Sequence, residues 1–260
     1  MKICVLGSGS SGNCIFVASN NTKLLIDAGL SGRDTENRLK LIGESLSDIS
    51  AICISHEHSD HTAGLSVLCN KYQKDVYLNR ATADILSACL KINNYSSWHI
   101  FERGNTFNIG ELSIYPFSVS HDASDPVGFL ISDGKINLGI ATDLGCPTGL
   151  VIERLRKCNV VILEFNHDET LLKNANRPWD LKQRILGRRG HLSNTLGAEL
   201  LKAIIQSNLY AVFLAHISEE CNTINLALES ARKALKEINT NSQIVILPTY
   251  RDRPSEVLIY

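Results

Sequence analysis

Two stacked β-sheets flanked by helices, spanning residues 1–260 as one α/β domain, is the architecture that three features of the sequence predict. Both halves of the chain start rich in strands and finish in alternating strands and helices. No Pro/Gly/Ser-rich linker, low-complexity stretch or short-period repeat divides them. The densest polar cluster, His56-Glu57-His58-Ser59-Asp60-His61, follows a short apolar run. That places it on the loop leaving a strand, where α/β proteins position their ligands.

Taken in order, residues 3–6, 14–18 and 23–26 are short apolar runs separated by Gly7-Ser8-Gly9-Ser10-Ser11-Gly12-Asn13 and by Asn20-Asn21. They read as a three-strand meander. The glycine-serine turn is not a phosphate-binding Walker loop, because no GK[ST] follows and it opens a strand. It is either a plain turn or a loop whose backbone N–H groups approach an anion, with Ser8 and Ser10 as candidate substrate contacts. Asp27 closes the third strand, either as a helix-side cap or as a partner for a ligand histidine. Ser31 to Ile42 has helical spacing, with Asp34 and Glu36 in its first turn. Ala51-Ile52-Cys53-Ile54 is too short and too β-branched for a helix and reads as a buried strand. Residues 63–73 look helical, 76–78 extended and 81–90 helical. Strands follow at 98–101, 106–109, 112–119, 127–132 and 136–141, with Asp133-Gly134 as a hairpin signal. Helices at 148–157, 168–174, 193–206 and 223–238 then alternate with strands at 160–164, 210–215 and 244–247.

Hydrophobic residues make up 44% of the chain and charged residues 20%, enough for a core and unlike a disordered protein. The net charge of −1 excludes a wholly basic nucleic-acid binder, so an anionic substrate has to meet a local patch. The eight cysteines show no CxxC pairing, and several lie in apolar runs. They read as core residues in a reducing compartment, not as disulfides or zinc ligands. The amino terminus lacks a signal peptide's pattern, and no apolar run reaches the ~18 residues of a membrane span. The expectation is a soluble cytoplasmic protein with no membrane partner. The oligomeric state is not legible.

Three imidazoles and two carboxylates occupy six consecutive positions from His56 to His61. Helical metal sites space histidines at i and i+4, whereas the i, i+2 spacing and adjacent Asp-His here suit a curled loop facing two nearby ions. His and Asp are ordinary ligands for borderline divalent metals. Further candidates close apolar strands: His121 after 112–119, Asp143 after 136–141 and His216 after 210–215. The implied arrangement places His56, His58 and His121 on one ion and Asp60, His61 and His216 on the other, with Asp143 bridging. Two divalent ions per chain, Zn²⁺ or Mn²⁺ (iron is also compatible), would share a bridging water and lower its pKa toward neutrality. That supplies a hydroxide nucleophile without a serine or cysteine.

Asp27 in LLIDAG, the His56–His61 cluster, His121, Asp143 and His216, in this order, resemble the metallo-β-lactamase superfamily. The resemblance covers essentially the whole chain. It implies a four-layer αββα sandwich and a dinuclear hydrolytic centre, with Asp27 supporting the ligands from behind. It also implies that Asp60 both ligates and orients the attacking hydroxide.

Lactamases, thioester hydrolases, lactonases and nucleases share that superfamily, so the fold leaves the substrate open. Three features point to phosphodiesters. Residues 173–191 carry six cations, Arg188 and Arg189 among them, against a single acid, Asp180. This is either a solvated helix face or a phosphate-tracking patch. Gly190-His191-Leu192-Ser193-Asn194 then opens a helix, whose free N–H groups favour anions and make Ser193 and Asn194 candidate contacts. His191 resembles the extra histidine of the RNase Z branch, which implies contact with the scissile phosphate and help to the leaving group; otherwise it is a helix-capping residue. Third, Glu164-Phe165-Asn166-His167-Asp168 closes a strand where RNase Z-type nucleases carry further acidic and histidine positions. Asn166 and His167 are assigned to the rim.

Together with the glycine-serine opening, these segments look most similar to the YycJ/WalJ-type branch, which implies a 5′→3′ DNA exonuclease. The Asp143–His216 interval has no room for the inserted cap of β-CASP enzymes, and no long Gly/Pro-rich arm of the tRNA-processing kind is present. The expected substrate is nucleic acid, DNA favoured over RNA. A glyoxalase II- or lactonase-like ester or thioester hydrolase is the main rival. A non-enzymatic nucleic-acid-binding module with a structural metal is the other, opposed by the number of ligands and the lack of Cys.

Overall fold

A computed structural model describes residues 1–93, 97–206, 208–238 and 243–260. Strands β1 (Lys2–Gly7), β2 (Cys14–Ala18) and β3 (Lys23–Ile26) form the expected meander, followed by α1 (Gly32–Leu41). Next come β4 (Ala51–Cys53), the single turn α2 (Ser59–Thr62), α3 (Leu65–Tyr72), β5 (Asp75–Asn79), α4 (Arg80–Cys89) and β6 (Trp98–Phe101). The second half holds β7 (Phe107–Ile109), β8 (Leu112–Ser118), β9 (Val127–Ser132), β10 (Asn137–Ala141) and α5 (Gly149–Leu155). It continues with β11 (Val160–Glu164), α6 (Glu169–Asn174), α7 (Trp179–Leu186) and α8 (Asn194–Ile204). Last are β12 (Ala211–Ala215), α9 (Ile224–Glu237), β13 (Val245–Pro248) and β14 (Leu258–Ile259). Helix α7 and strand β14 were not anticipated from the sequence.

The strands make two seven-stranded sheets, β14-β1-β2-β3-β4-β5-β6 and β13-β12-β11-β10-β9-β8-β7. Each sheet is antiparallel where its meander lies and parallel from β3 to β6 or from β10 to β13. The strands are apolar on both faces because both faces are covered. Ile3, Val5, Leu24 and Ile26 point between the sheets, where they meet Phe129, Ile131, Leu138 and Ile162. Their neighbours Cys4, Leu6 and Leu25 point outward and pack with Leu39 of α1 and Leu65 and Leu68 of α3. On the other side Val161, Leu163, Val212 and Leu214 pack under Val151, Leu200, Leu201 and Ala227 of α5, α8 and α9. The result is a four-layer αββα sandwich.

Parallel strands leave their carboxyl ends on a common edge. Asp27, the His56–His61 loop, Asp143, Glu164 and His216 all end or follow parallel strands, so the topology gathers them. Among the described residues no helix is long and apolar enough to cross a membrane.

Candidate metal centre

Three of the gathered residues leave their strands in the left-handed backbone region: Asp27 (φ 63°), Asp143 (φ 56°) and His216 (φ 56°). Such a conformation costs a non-glycine residue on the order of 1 kcal/mol or more and is tolerated where geometry serves function. The His56–His61 loop is held from beneath by Asp27. Its carboxylate accepts from the Ser55 N–H at 2.8 Å, the Ser55 hydroxyl at 2.9 Å and His61 Nδ1 at 2.7 Å. Asp27 is thus the histidine partner, not a helix cap. From above, Asn13 N–H donates to the Asp60 carbonyl at 2.7 Å, and Asn13 Nδ2 sits 3.2 Å from Asp60 Oδ2 and 3.0 Å from His61 Nε2. Gly29 makes this contact possible, since a Cβ there would lie on the Asp60 carbonyl.

Four histidines share one design, with one ring nitrogen anchored by a neighbour and the other left for the cluster. His61 Nδ1 is held by Asp27, His121 Nδ1 by the Gly190 carbonyl at 3.1 Å, and His56 Nδ1 by the Ser55 hydroxyl at 2.9 Å. His216 Nδ1 is held by Glu164 Oε1 at 2.9 Å. Because carboxylates and carbonyls only accept, three of these Nδ1 atoms carry the proton.

The cluster atoms converge. The ligand atoms of His56, His58 and His121 lie within 4.8 Å of one another, as do those of His56, His61 and Asp143, and those of Asp143, Glu164, His191 and His216. Asp143 is common to two of these groups, with carboxylate oxygens 3.2 Å from His61 Nε2 and 3.3 Å from His216 Nδ1. Asp60 Oδ2 lies 3.6 Å from His61 Nε2 and 3.7 Å from His216 Nε2. His56 Nε2, His216 Nε2 and Asp143 Oδ2 are buried with no hydrogen-bond partner among the described residues. Buried polar atoms are normally satisfied. Orphaned imidazole and carboxylate atoms within one cluster of potential ligands are what a divalent cation satisfies, so the donor set fits a metal.

Electrostatics agree. Burial works to raise the Asp143 carboxyl, but His216 and His61 overcome it and hold it well below the ordinary range. Burial likewise opposes charge on His61 and His216, yet Asp143 and neighbouring carboxylates hold both rings protonated well above an ordinary histidine. Burial, reinforced by the charge on His61, pushes His56 well down. The carboxylates thus demand positive charge, which ring protons supply and a metal would replace.

Glu164 is not among the candidates read from the sequence, yet it organises one side of the centre. It is fully buried, and its Oε1 accepts from His191 Nδ1 at 2.7 Å as well as from His216. Its Oε2 accepts the Leu144 N–H at 2.8 Å and the Leu192 N–H at 3.3 Å. Burial alone would raise it, but His191 and His216 take it down to about 2. Its signal in the sequence is the one Asp27 and Asp143 share, an acid closing an apolar strand. Asn13 gave no signal beyond its place in a turn.

A cavity of about 240 Å³ opens over the cluster, lined by His58, Asp60, His121, Asp143, His191 and His216. Of the remaining candidates, Ser10, Asn166 and His167 also line it. Ser8 lies behind, its hydroxyl accepting the His216 N–H at 2.7 Å. Ser193 caps α8 and bonds Glu169, while Asn194 pairs with Asn222, so both are turned to structural bonds and are absent from the cavity wall. Arg188 is exposed, its carbonyl holding the Ser120 hydroxyl. Arg189 bonds the carbonyls of His121 and Ala123. Arg177 pairs with Glu220, Arg184 with Asp122, and Lys182 reaches the Lys173 carbonyl, so much of the cationic stretch braces the rim.

A profile of the β-lactamase superfamily domain matches residues 22–217. The chain is 35% identical over 237 residues to the exodeoxyribonuclease YycJ of Bacillus anthracis, covering 91% of this chain and 90% of that one. It is 38% identical over 228 residues to the exodeoxyribonuclease WalJ of Streptococcus pneumoniae, covering 87% and 85%. Among solved structures, the metallo-β-lactamase fold protein YhfI from Bacillus subtilis superposes with a TM-score of 0.74 over 99% of this chain and 98% of that one, at 16% identity.

Proposed function

The chain belongs to the β-lactamase superfamily, and we propose that within it the protein is a metal-dependent phosphodiesterase, a DNA exonuclease that degrades from the 5′ end. The observation that carries this reading is His191, held by Glu164 at 2.7 Å beside the metal-binding cluster and lining its cavity. A thiolate departs without a proton, whereas a sugar oxygen leaving a phosphodiester needs one. A histidine fixed at Nδ1 by a buried carboxylate can donate it from Nε2 when the ring carries both protons, a charge that the carboxylate stabilises. DNA as the substrate rests on the names of the two relatives.

In this reading His56, His58 and His121 would hold one divalent ion and Asp60, His61 and His216 a second, and Asp143 would serve both. Zn²⁺ and Mn²⁺ both suit the donors. Such ions supply Lewis acidity toward water and toward phosphoryl oxygens. The chain does the rest. Asp60, fixed by Asn13, accepts a hydrogen bond from the attacking water and aims it at phosphorus. His191 protonates the departing oxygen at Nε2, and Glu164 stabilises the ring while it is charged.

The test is incubation of the metal-loaded protein with end-labelled single- and double-stranded DNA and RNA, with a lactone and a thioester as controls. DNA shortened from its 5′ end, at a rate that falls steeply with salt, is the expected result. Asp60→Asn should abolish it with the fold intact. Turnover of the lactone or thioester, insensitive to salt and without cleavage of DNA, would overturn the proposal.

A further inference from the structure

The cavity extends past the ligands. Leu172 of α6, Leu181 and Ile185 of α7, and Cys221 wall its other side. Leu172, Ile185 and Cys221, with Leu181 packed against them, form an apolar cluster separate from the three main cores. His167 lines the same cavity and is 1% exposed, with neither ring nitrogen bonded to any of the described residues. Its backbone is fixed: its carbonyl accepts the Asn194 N–H at 2.8 Å, and a parallel bridge joins it to Ser193. Such a ring is costly, since each buried polar group left unsatisfied is destabilising and folds retain few of them. A ligand entering the cavity is the natural partner. Burial keeps the ring's proton affinity low, so it offers one donor and one acceptor. A phosphate needs donors only, whereas a nucleobase edge presents both kinds of group over a flat apolar face.

We infer that this side of the cavity is a pocket for the terminal nucleobase of the DNA, seated against Leu172, Leu181 and Ile185 and hydrogen-bonded along its edge by His167. The inference rests on the nuclease reading and adds to it the reason for end-directed cleavage. The cavity, about 240 Å³, is shared with the metal ligands, so a base held at this side lies beside the cleaving centre. An end base seated there has left the stack, as bases do before enzymes act on them one at a time.

Calorimetric titration of the full chain with dAMP and dTMP, and with deoxyribose 5-phosphate as a probe lacking the base, tests the pocket. Wild type, His167→Phe and Leu181→Trp are compared, with thermal melting to verify folding; Leu181 is half-buried, so its replacement is the gentler of the two. The mononucleotides should bind at least about tenfold tighter than the sugar phosphate. Leu181→Trp and His167→Phe should erase that preference and leave sugar phosphate binding unchanged. If wild type degrades DNA yet binds nucleotide and sugar phosphate alike, or if both variants keep the preference, the pocket is refuted and the nuclease reading stands. If wild type degrades no DNA with Zn²⁺ or Mn²⁺, the nuclease reading falls, and the presence or absence of a base preference still decides the pocket.

Discussion

Replacing Glu164 with glutamine tests how the centre is held together. The carboxylate takes four donors, two on each oxygen: His191 and His216 Nδ1 on Oε1 at 2.7 and 2.9 Å, and the Leu144 and Leu192 N–H groups on Oε2 at 2.8 and 3.3 Å. Glutamine has the same shape, but one oxygen becomes an NH₂ group, so one pair of donors loses its acceptor whichever way the amide turns. Facing the backbone, it leaves two buried N–H groups unpaired. At ~1–3 kcal/mol each this is ~2–6 kcal/mol, a large share of the ~5–15 kcal/mol that holds a domain folded. Facing the rings, it donates to both Nδ1 atoms and drives their protons to Nε2. His216 Nε2 is one of the orphaned atoms offered to the metal. A ring protonated there cannot ligate, and losing such an outer partner typically costs ~10–100-fold in metal affinity. Urea unfolding of the metal-free protein reads the first route, and metal titration against a chromophoric chelator reads the second. Glu164→Gln should lose about 2 kcal/mol of stability or about tenfold in metal affinity. Wild-type values in both measurements would refute this role for Glu164.

His191→Ala should lower turnover ~10²–10⁴-fold with the metals still bound, and a substrate with a nitrophenolate leaving group should recover much of that loss; undiminished turnover of DNA would remove the histidine from the reaction. The pH dependence follows from the shifts. His61 and His216, with raised pKa values, stabilise the metal-free fold below the ordinary histidine range, an effect lost as pH rises through their folded values. Asp143 and Glu164, with lowered values, stabilise it above the ordinary carboxylate range and lose that effect as pH falls, through about 2 for Glu164. Because a metal displaces ring protons that His61 and His216 hold well above the ordinary histidine range, its affinity should go on rising with pH beyond that range, with protons released on loading, measurable by calorimetry in buffers of different ionisation enthalpy. Gly29→Ala would place a methyl group on the Asp60 carbonyl and 2.6 Å from the Asn13 nitrogen. It should cost about 1–3 kcal/mol in a thermal melt and loosen metal binding; a variant as stable as wild type would mean that the loop yields freely.

The His56–His61 loop was legible as a candidate metal site because its information is local: five ligand-type residues in six positions, after an apolar run. Asp143 and His216 were legible for a related reason, as polar residues closing apolar strands. Glu164 fits the same pattern, but its role depends on histidines 27 and 52 residues away in the chain, and strand periodicity says nothing about which strand ends converge. Helix α7 was hidden by chemistry. Its buried face includes Lys182, whose stem lies inside while its Nζ reaches the Lys173 carbonyl, so the segment reads as a charged stretch and not as an amphipathic helix. Counting charges there had a further limit, since composition cannot show that Arg177, Arg184 and Arg189 are already engaged by Glu220, Asp122 and the His121 loop. Strand β14, only two residues long, carries too short a pattern to read. The left-handed turns at Asp27, Asp143 and His216 tie these points together. Glycine would adopt them at lower cost, and an acid or a histidine in each place marks where the chain gives up local stability to aim a side chain at a shared edge.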